Sequence, residues 1–212
     1  GLAFIRTCKN YALAPDDLRI KLNEAPAPLP LAEMGWWIYD KYQQALRYRG
    51  AVDFDDLIMY AHRILQSDAE YLARLQYRFP YILEDESQDS SAIQEKILRL
   101  LAGHGNWVRV GDPNQAIFET FTTADPKLLR DFIVHEADVS RELPVSGRSQ
   151  QCIIDVANYL IDWTSASHPA QACRVALSVP HIQAAAPDDP QPNPPADPEG
   201  IRFIPNKFSP EE

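Results

Sequence analysis

The sequence predicts an α/β protein whose N-terminal part is mainly helical. Apolar residues recur at helical spacing through residues 1–79, and short apolar runs then alternate with helical patterns. Two of these runs, at 81–84 and 107–110, end in polar turns, and the helical stretch SSAIQEKILRLLAG lies between them. This strand–helix–strand unit, with acid and amide groups at both strand ends, indicates a phosphate-handling α/β enzyme.

Composition narrows the class of protein. The chain has 212 residues, 45% of them hydrophobic, and no apolar run approaches the roughly 20 residues of a membrane-spanning helix. The net charge of −10 argues against a general nucleic-acid coat, but it leaves room for a local DNA groove. Three widely spaced cysteines form neither a disulfide framework nor a zinc site. We therefore expect a cytoplasmic protein without a membrane partner.

In the N-terminal part, local chemistry predicts five helices separated by breaks. Asp53 has the chemistry of a helix cap, and Gly50 that of a helix end. Asp55 and Asp56 complement the dipole of the helix that Asp53 opens, so these three carboxylates are interpreted as capping residues and not as a metal cluster. The predicted helices lie at 2–8, from 15 onward, at 31–48, at 53–65 and at 69–79, with a stiff Pro-rich linker at 25–30.

Beyond residue 116 the pattern predicts further alternation. A helix is expected from 125 to 133, a strand at 140–144, a helix at 149–162, a mobile Pro-rich loop near 184–198 and a strand at 201–204. The final residues SPEE begin a helix pattern, and the first residues enter directly on one. We therefore expect this chain to be an internal fragment of a longer protein.

Asp85 and Glu86 follow the first predicted strand and are the main candidates for chemistry. Asp85 is suited to hold Mg²⁺, and Glu86 to act as the base that polarises a water for attack on a terminal phosphate. The alternative is a solvated acidic loop, because acidic pairs are common. Gln88 and the second polar turn favour the catalytic interpretation.

Other candidates lie downstream. Gln115, at the end of the GDPNQ turn, could contact the terminal phosphate, although Asp-Pro-Asn also favours a simple type I turn. Arg148 lies between a predicted strand and a helix, where it could be an arginine finger or a surface residue. Phe118 and Phe121 could stack on unpaired bases or belong to the core.

One expected element of a nucleotide site does not occur in these residues. A P-loop requires G-x-x-x-x-G-K-[ST], and the chain contains no Gly-Lys pair. The acidic half of a nucleotide site is therefore present without its phosphate cradle.

Together these motifs resemble the UvrD/Rep/PcrA family of superfamily 1 DNA helicases. LEDESQD resembles the family's motif II, DEFQD, with Ser87 in the aromatic position. VGDPNQAIF resembles motif III, VGDxxQSIY, and LPVSGRS resembles motif IV, QNYRS, with Gly147 in place of Tyr. VDFDDLI (52–58) and AFIRTCKN (3–10) also resemble stretches upstream of motif II. Motif order and spacing agree over nearly the whole chain.

The resemblance implies a domain layout. Residues 1–79 would form most of a helical 1B-like subdomain, inserted on the N-terminal side. Residues 80–142 would be the second half of the RecA-like parallel-sheet domain 1A, and 143–212 the beginning of RecA-like domain 2A.

The resemblance also implies residue roles. Asp85 would hold Mg²⁺ and Glu86 would be the general base, while Gln115 would contact the γ-phosphate of ATP. Arg148 would be an arginine finger, and Gln88 would couple the nucleotide site to the DNA-facing motif. Phe118 falls at the family's base-stacking Tyr. The Trp-Arg pair that follows in the family is missing here; with one residue inserted, Phe121 would serve as the stacking ring, and the Arg would have no counterpart.

The parent protein implied by the resemblance is an ATP-dependent helicase that uses ATP and Mg²⁺. It would move along single-stranded DNA and unwind duplex DNA, 3′ to 5′ as the family does, and its remaining domains would be partners of this fragment. We expect the fragment alone to be inactive. Two alternatives stay open within the family: a RecB/AddA-like nuclease-helicase and a degenerate relative. A non-enzymatic interaction scaffold is the alternative of another class.

Overall fold

The computed structural model describes residues 1–103, 105–116, 124–197 and 200–201. The chain divides into two compact units, Gly1–Ala137 and Asp138–Glu212. In the described part of the chain, no helix combines the length and apolar character needed to cross a membrane.

The first unit contains the predicted run of N-terminal helices followed by a strand–helix–strand segment. Its described elements are α1 (Leu2–Asn10), α2 (Pro15–Asn23), α3 (Pro30–Tyr48), α4 (Phe54–Ser67), α5 (Ala69–Arg78), β1 (Ile82–Glu84), α6 (Ala92–Leu101), β2 (Trp107–Arg109) and α7 (Pro126–His135). Short 3-10 turns follow both strands, at Ser87–Asp89 and Pro113–Gln115. The mixed α/β class predicted from the sequence is confirmed.

The helical core lies between α1, α2 and α3. Tyr39 is fully buried there with Ile5, Cys8 and Leu18, and its hydroxyl donates to the Leu13 carbonyl. The buried face of α3 follows Gly35, Tyr39 and Gln43, which repeat at i+4.

Helical spacing in the stretch 31–48 predicts one apolar face, made of Met34, Trp37, Ile38, Tyr42, Ala45 and Leu46, and this prediction is partly wrong. Met34 and Trp37 are exposed, although their spacing predicted burial, while Ile38 and Tyr42 pack against the core. The helix is apolar on more than one face, so periodicity alone did not fix which face turns inward.

A buried cation joins α1 to α4. Lys9 is almost fully buried, and its ammonium group lies 2.6 Å from Asp53 Oδ2 and 2.8 Å from Asp56 Oδ1. Tyr42 donates a hydrogen bond to Asp53 Oδ2, and Gln43 donates to Asp56 Oδ1. Asp53 also accepts from the Asp56 N–H, so it caps α4 as predicted while both carboxylates neutralise Lys9.

The two strands of the first unit pair in parallel. Leu83 lies opposite Val108 and Glu84 opposite Arg109, and α6 makes the crossover between the strands. Both strands therefore end at the same edge, with the two 3-10 turns beside each other. In the described residues of this unit the sheet has two strands, so the mixed α/β character is seen but the expected RecA-like parallel sheet stays a prediction.

The second unit also contains a short parallel pair. It consists of β3 (Val145–Ser146), α8 (Gln151–Ser167), a 3-10 turn at Gln171–Val175 and β4 (Gln183–Ala184), with β3 beside β4. The predicted helix at 149–162 is confirmed. The strand predicted at 140–144 is wrong, because these residues form no strand and the pairing with β4 begins at Val145. The Gln183 N–H donates to the carbonyl of Pro144, the residue just before β3. Of the strand predicted at 201–204, Ile201 has no strand pairing and the rest lies outside the described residues.

Candidate active site

The turn after β1 presents two carboxylates at the strand end. Asp85 and Glu86 belong to this turn, and Asp85 Oδ1 accepts the Glu86 N–H at 3.0 Å. Glu86 has φ 51° and ψ 40°, the left-handed region that a non-glycine residue rarely occupies. Such a conformation costs about 1–3 kcal/mol and persists only where the surroundings enforce it.

Ser87 helps to hold Glu86 in this conformation. Its side chain is fully buried, and both its N–H and its hydroxyl donate to the Val110 carbonyl at 3.0 Å. In turn the Val110 N–H donates to the Glu84 carbonyl. The residue after Glu86 is thus tied to the end of β2, which fixes where the Glu86 carboxylate emerges.

A chain of hydrogen bonds connects the acidic turn to the amide turn. Gln88 is buried; its Nε2 donates to Glu86 Oε2 at 2.7 Å, and its Oε1 accepts the Asp112 N–H at 3.0 Å. Asp112 Oδ2 then accepts from Gln115 Nε2 at 3.0 Å, and Asp112 Oδ1 accepts the Asn114 N–H. We name the path Glu86–Gln88–Asp112–Gln115 the relay. It brings together three predicted site residues.

Gly111 allows the two turns to approach. A Cβ atom at this position would lie 2.6 Å from both Gln88 Oε1 and Ser87 Oγ, and 3.0 Å from the Ser87 nitrogen. Any side chain would therefore displace the groups that make the relay. The glycine in the GDPNQ turn is required by this contact.

A buried ion network lies beneath the acidic turn. Arg109, on β2, places Nε 2.7 Å from Glu84 Oε2 and Nη1 2.9 Å from Glu95 Oε2, and all three side chains are at least nine-tenths buried. The guanidinium carbon lies 4.5 Å from the ring centre of Trp107 and 5.0 Å from that of Phe132. Arg109 thus joins β1, β2, α6 and α7 directly under the strand end.

The carboxylates of this network have further partners. Glu84 accepts from the Ser90 hydroxyl and from Trp107 Nε1, and Glu95 pairs with Arg99 at 2.7 Å. Burial raises the pKa of Glu95, while Arg109 and Arg99 oppose that rise. The residue immediately before the candidate catalytic pair is therefore held by several buried bonds.

Asp85 and Glu86 fit a magnesium-nucleotide site. Asp85 offers an exposed carboxylate with one oxygen on the Glu86 N–H, and Mg²⁺ is typically bound by one or two carboxylates together with substrate phosphates and water. Glu86 keeps one carboxylate oxygen on Gln88, which fixes the direction of the carboxylate. A carboxylate oriented in this way can polarise a water molecule.

Two other predicted sites have different outcomes. Arg148 lies in the second unit, in the turn between β3 and α8, and its N–H donates to Ser146 Oγ at 3.4 Å. Phe118 and Phe121, predicted to stack on DNA bases, lie outside the described residues.

Sequence reasoning did not identify three residues that shape the site: Ser87, Asp112 and Arg109. The sequence alone indicates only that Ser87 replaces an aromatic ring of the family motif and that Asp112 belongs to a turn. Arg109 could have been recognised from the sequence, because it is a charged residue within the apolar run WVRV. It lies opposite Glu84 on the other predicted strand, an arrangement that suits a buried cross-strand ion pair.

The structure thus contains a parallel β–α–β unit with carboxylates at the end of one strand and a linked amide at the end of the next. Comparison with known proteins identifies the family of this chain. The sequence profile of the UvrD/REP helicase N-terminal domain matches residues 2–135. The chain therefore belongs to the UvrD/REP helicase family.

Individual relatives agree. The chain is 34% identical over 166 residues to the "ATP-dependent DNA helicase PcrA" of Leuconostoc citreum, covering 76% of this chain and 21% of that protein. It is 34% identical over 129 residues to an ATP-dependent helicase/nuclease subunit of Alkaliphilus oremlandii, covering 57% and 10%. It is also 34% identical over 102 residues to the "Probable DNA helicase II homolog" of Rickettsia conorii, covering 48% and 16%. The chain thus spans about a fifth or less of the length of these relatives.

Proposed function

We propose that this chain supplies the hydrolytic part of an ATP-dependent DNA helicase that moves along single-stranded DNA and separates duplex DNA, in the 3′ to 5′ direction. Membership of the UvrD/REP family supports the reaction class, and the names of the relatives describe DNA helicases. The observation that carries the proposal is the relay, which joins a candidate base to a candidate phosphate sensor across two neighbouring strand ends.

The proposed roles are those that the resemblance to the helicase family implies for these residues, and hydrogen bonds in the first unit support the role of Gln88. Asp85 would hold the magnesium ion of Mg·ATP, which supplies neutralising charge to the phosphate oxygens. Glu86 would accept a proton from the attacking water, and Gln88 would keep the Glu86 carboxylate oriented by its 2.7 Å bond. Gln115 would contact the terminal phosphate and pass its presence or loss along the relay. Arg148 would stabilise negative charge on the transferred group.

The domain layout belongs to the same proposal. Residues 1–79 correspond to a 1B-like helical subdomain, 80–142 to the second half of RecA-like domain 1A, and 143–212 to the start of domain 2A. The remaining domains of a longer polypeptide would supply the phosphate cradle and complete the DNA path. The expected setting is the cytoplasm, where ATP and DNA occur together.

The proposal predicts two ATPase results. The 212-residue chain by itself should hydrolyse no ATP, because it contains no Gly-Lys-[Ser/Thr] loop. A longer polypeptide that adds this loop should show DNA-stimulated hydrolysis, and Glu86→Gln should lower kcat by about 10²–10⁴-fold while ATP binding is retained. Glu70→Gln, an exposed acid on α5, is the matched control and should be silent. DNA-stimulated hydrolysis that survives Glu86→Gln would refute the proposal.

A second candidate is the hydrolytic part of a helicase–nuclease. This second candidate is supported by the 34% identity to an ATP-dependent helicase/nuclease subunit over 57% of this chain. The two candidates share the same site here and differ in the longer polypeptide: DNA cleavage by that polypeptide would select the helicase–nuclease.

A further inference from the structure

The Pro-rich segment after β4 is fastened to the turn that carries Arg148. We call residues 185–197 the strap and residues 146–149 the arginine turn. Asn193, in the strap, donates Nδ2 hydrogen bonds to the Ser146 carbonyl at 2.5 Å and the Ser149 carbonyl at 2.8 Å. Its Oδ1 accepts the Ala185 N–H at 2.7 Å. One half-buried side chain thus binds both ends of the arginine turn and the start of the strap.

The strap and the arginine turn also meet backbone to backbone. A Cβ atom at Gly147 would overlap the Gln191 carbonyl oxygen and lie 3.2 Å from its carbonyl carbon. Gln150 adds another contact by donating to the Pro195 carbonyl at 3.1 Å. The glycine beside Arg148, which stands where the helicase motif has Tyr, is therefore required by the strap.

These contacts restrain the backbone on both sides of Arg148. A guanidinium group that must meet a transferring phosphoryl group works best when its backbone is fixed beforehand, because less entropy is lost on reaching the reactive geometry. We propose that Asn193 is a positioning residue that holds the arginine turn in its productive conformation. This inference rests on the proposed role of Arg148 in phosphoryl transfer.

The chain offers a matched control. Asn158, on α8, makes the same kind of paired bonds to a neighbouring stretch: its Nδ2 donates to the Ile182 carbonyl at 2.9 Å and its Oδ1 accepts the Ile182 N–H at 2.8 Å. Asn158→Ala removes two side-chain bonds to the residue before β4 without touching the arginine turn. It separates positioning from general loss of stability.

The first measurement is amide hydrogen exchange, resolved by NMR, on the 212-residue chain. Asn193→Asp retains an acceptor for the Ala185 N–H but loses both donors to the arginine turn. We expect Ala185 to stay protected, and the Arg148 amide, which donates to Ser146 Oγ, to exchange about tenfold faster because the turn that presents this hydroxyl is no longer held. Asn193→Ala should release Ala185 as well, and Asn158→Ala should leave the Arg148 amide unchanged. An unchanged Arg148 amide in both Asn193 variants would overturn the inference.

The second measurement uses the ATPase-competent longer polypeptide, with Arg148→Ala as reference. Asn193→Asp should lower kcat about tenfold with KM for ATP within about twofold, and Asn158→Ala should retain the parent kcat. If Arg148→Ala leaves kcat unchanged, the proposed function of Arg148 fails. If Arg148→Ala lowers kcat and Asn193→Asp does not, the proposed function stands and the positioning role fails.

Discussion

Removing Arg109 tests the buried ion network under the acidic turn. Arg109→Met keeps a long side chain against Trp107 and Phe132 but leaves Glu84 and Glu95 without their shared cation. Breaking a buried ion pair by removing one partner typically costs about 3–5 kcal/mol, because the remaining charge stays out of water. Glu84 retains Trp107 and Ser90, and Glu95 retains Arg99, so we expect about 3 kcal/mol.

The assay is urea unfolding at pH 7, followed by far-UV circular dichroism. The matched control is Arg63→Met, which removes a surface pair with Asp17 at 3.5 Å and should cost no more than about 1 kcal/mol. With a total stability of about 5–15 kcal/mol for a domain, the Arg109 variant should unfold at clearly lower urea concentration.

The pH dependence provides a second check on the same variant. Burial already raises the pKa of Glu95, and losing Arg109 removes a group that lowers it. A carboxyl whose pKa is higher in the folded state binds a proton more readily there, so its folded state gains stability as pH falls through that pKa. The difference between Arg109→Met and the parent chain should therefore shrink as the pH is lowered from neutrality. A loss equal to that of Arg63→Met, or one independent of pH, would show that Glu84 and Glu95 do not depend on the Arg109 cation.

Three further predictions concern close contacts and the helical core. Gly111→Ala should weaken the relay and lower the free energy of unfolding by about 1–3 kcal/mol in urea titration, because its Cβ would lie 2.6 Å from Gln88 Oε1; an unchanged midpoint would contradict this. Gly147→Ala should displace the strap, which would be visible as altered NMR shifts for residues 189–193. The control Gly105→Ala places its Cβ in open space, so it tests only the backbone strain of alanine at φ 82°. At neutral pH the Asp53 carboxylate should stabilise the fold, and this contribution should be lost in acid. Burial raises the pKa of Asp53, but its bonds to Lys9, the Asp56 N–H and Tyr42 outweigh burial and lower the pKa overall. Protonation of Asp53 therefore disfavours the folded state. Asp53→Asn should flatten this acid limb of the stability curve.

Much of the fold could be predicted because local signals agreed with tertiary structure. Asp53 caps α4 as its chemistry predicts, and α6 and α8 follow their apolar spacing. The two strand ends were predicted from polar residues that follow apolar runs, and the parallel register places them side by side. The acidic and amide turns therefore meet as their chemistry suggested, and the relay joins them.

Other features depend on contacts between segments far apart in sequence. Lys9 looks like an exposed helix residue until Asp53 and Asp56, which lie far along the sequence, are brought to it. Asn193 lies in a Pro- and Asp-rich stretch that composition predicts to be mobile, and only the fold shows its bonds to Ser146 and Ser149. Strand limits after residue 138 were missed because such short strands carry almost no periodic signal.

We expect the acidic turn and the amide turn to act as one unit in ATP hydrolysis. A double-mutant cycle of Gln88→Ala and Gln115→Ala on DNA-stimulated ATP hydrolysis by the longer polypeptide tests it most directly. Since both residues belong to one hydrogen-bonded path, each single variant should lower kcat by a similar factor, about tenfold, and the double variant should be hardly slower than either. Independent effects that multiply to about a hundredfold would show that the two turns act separately.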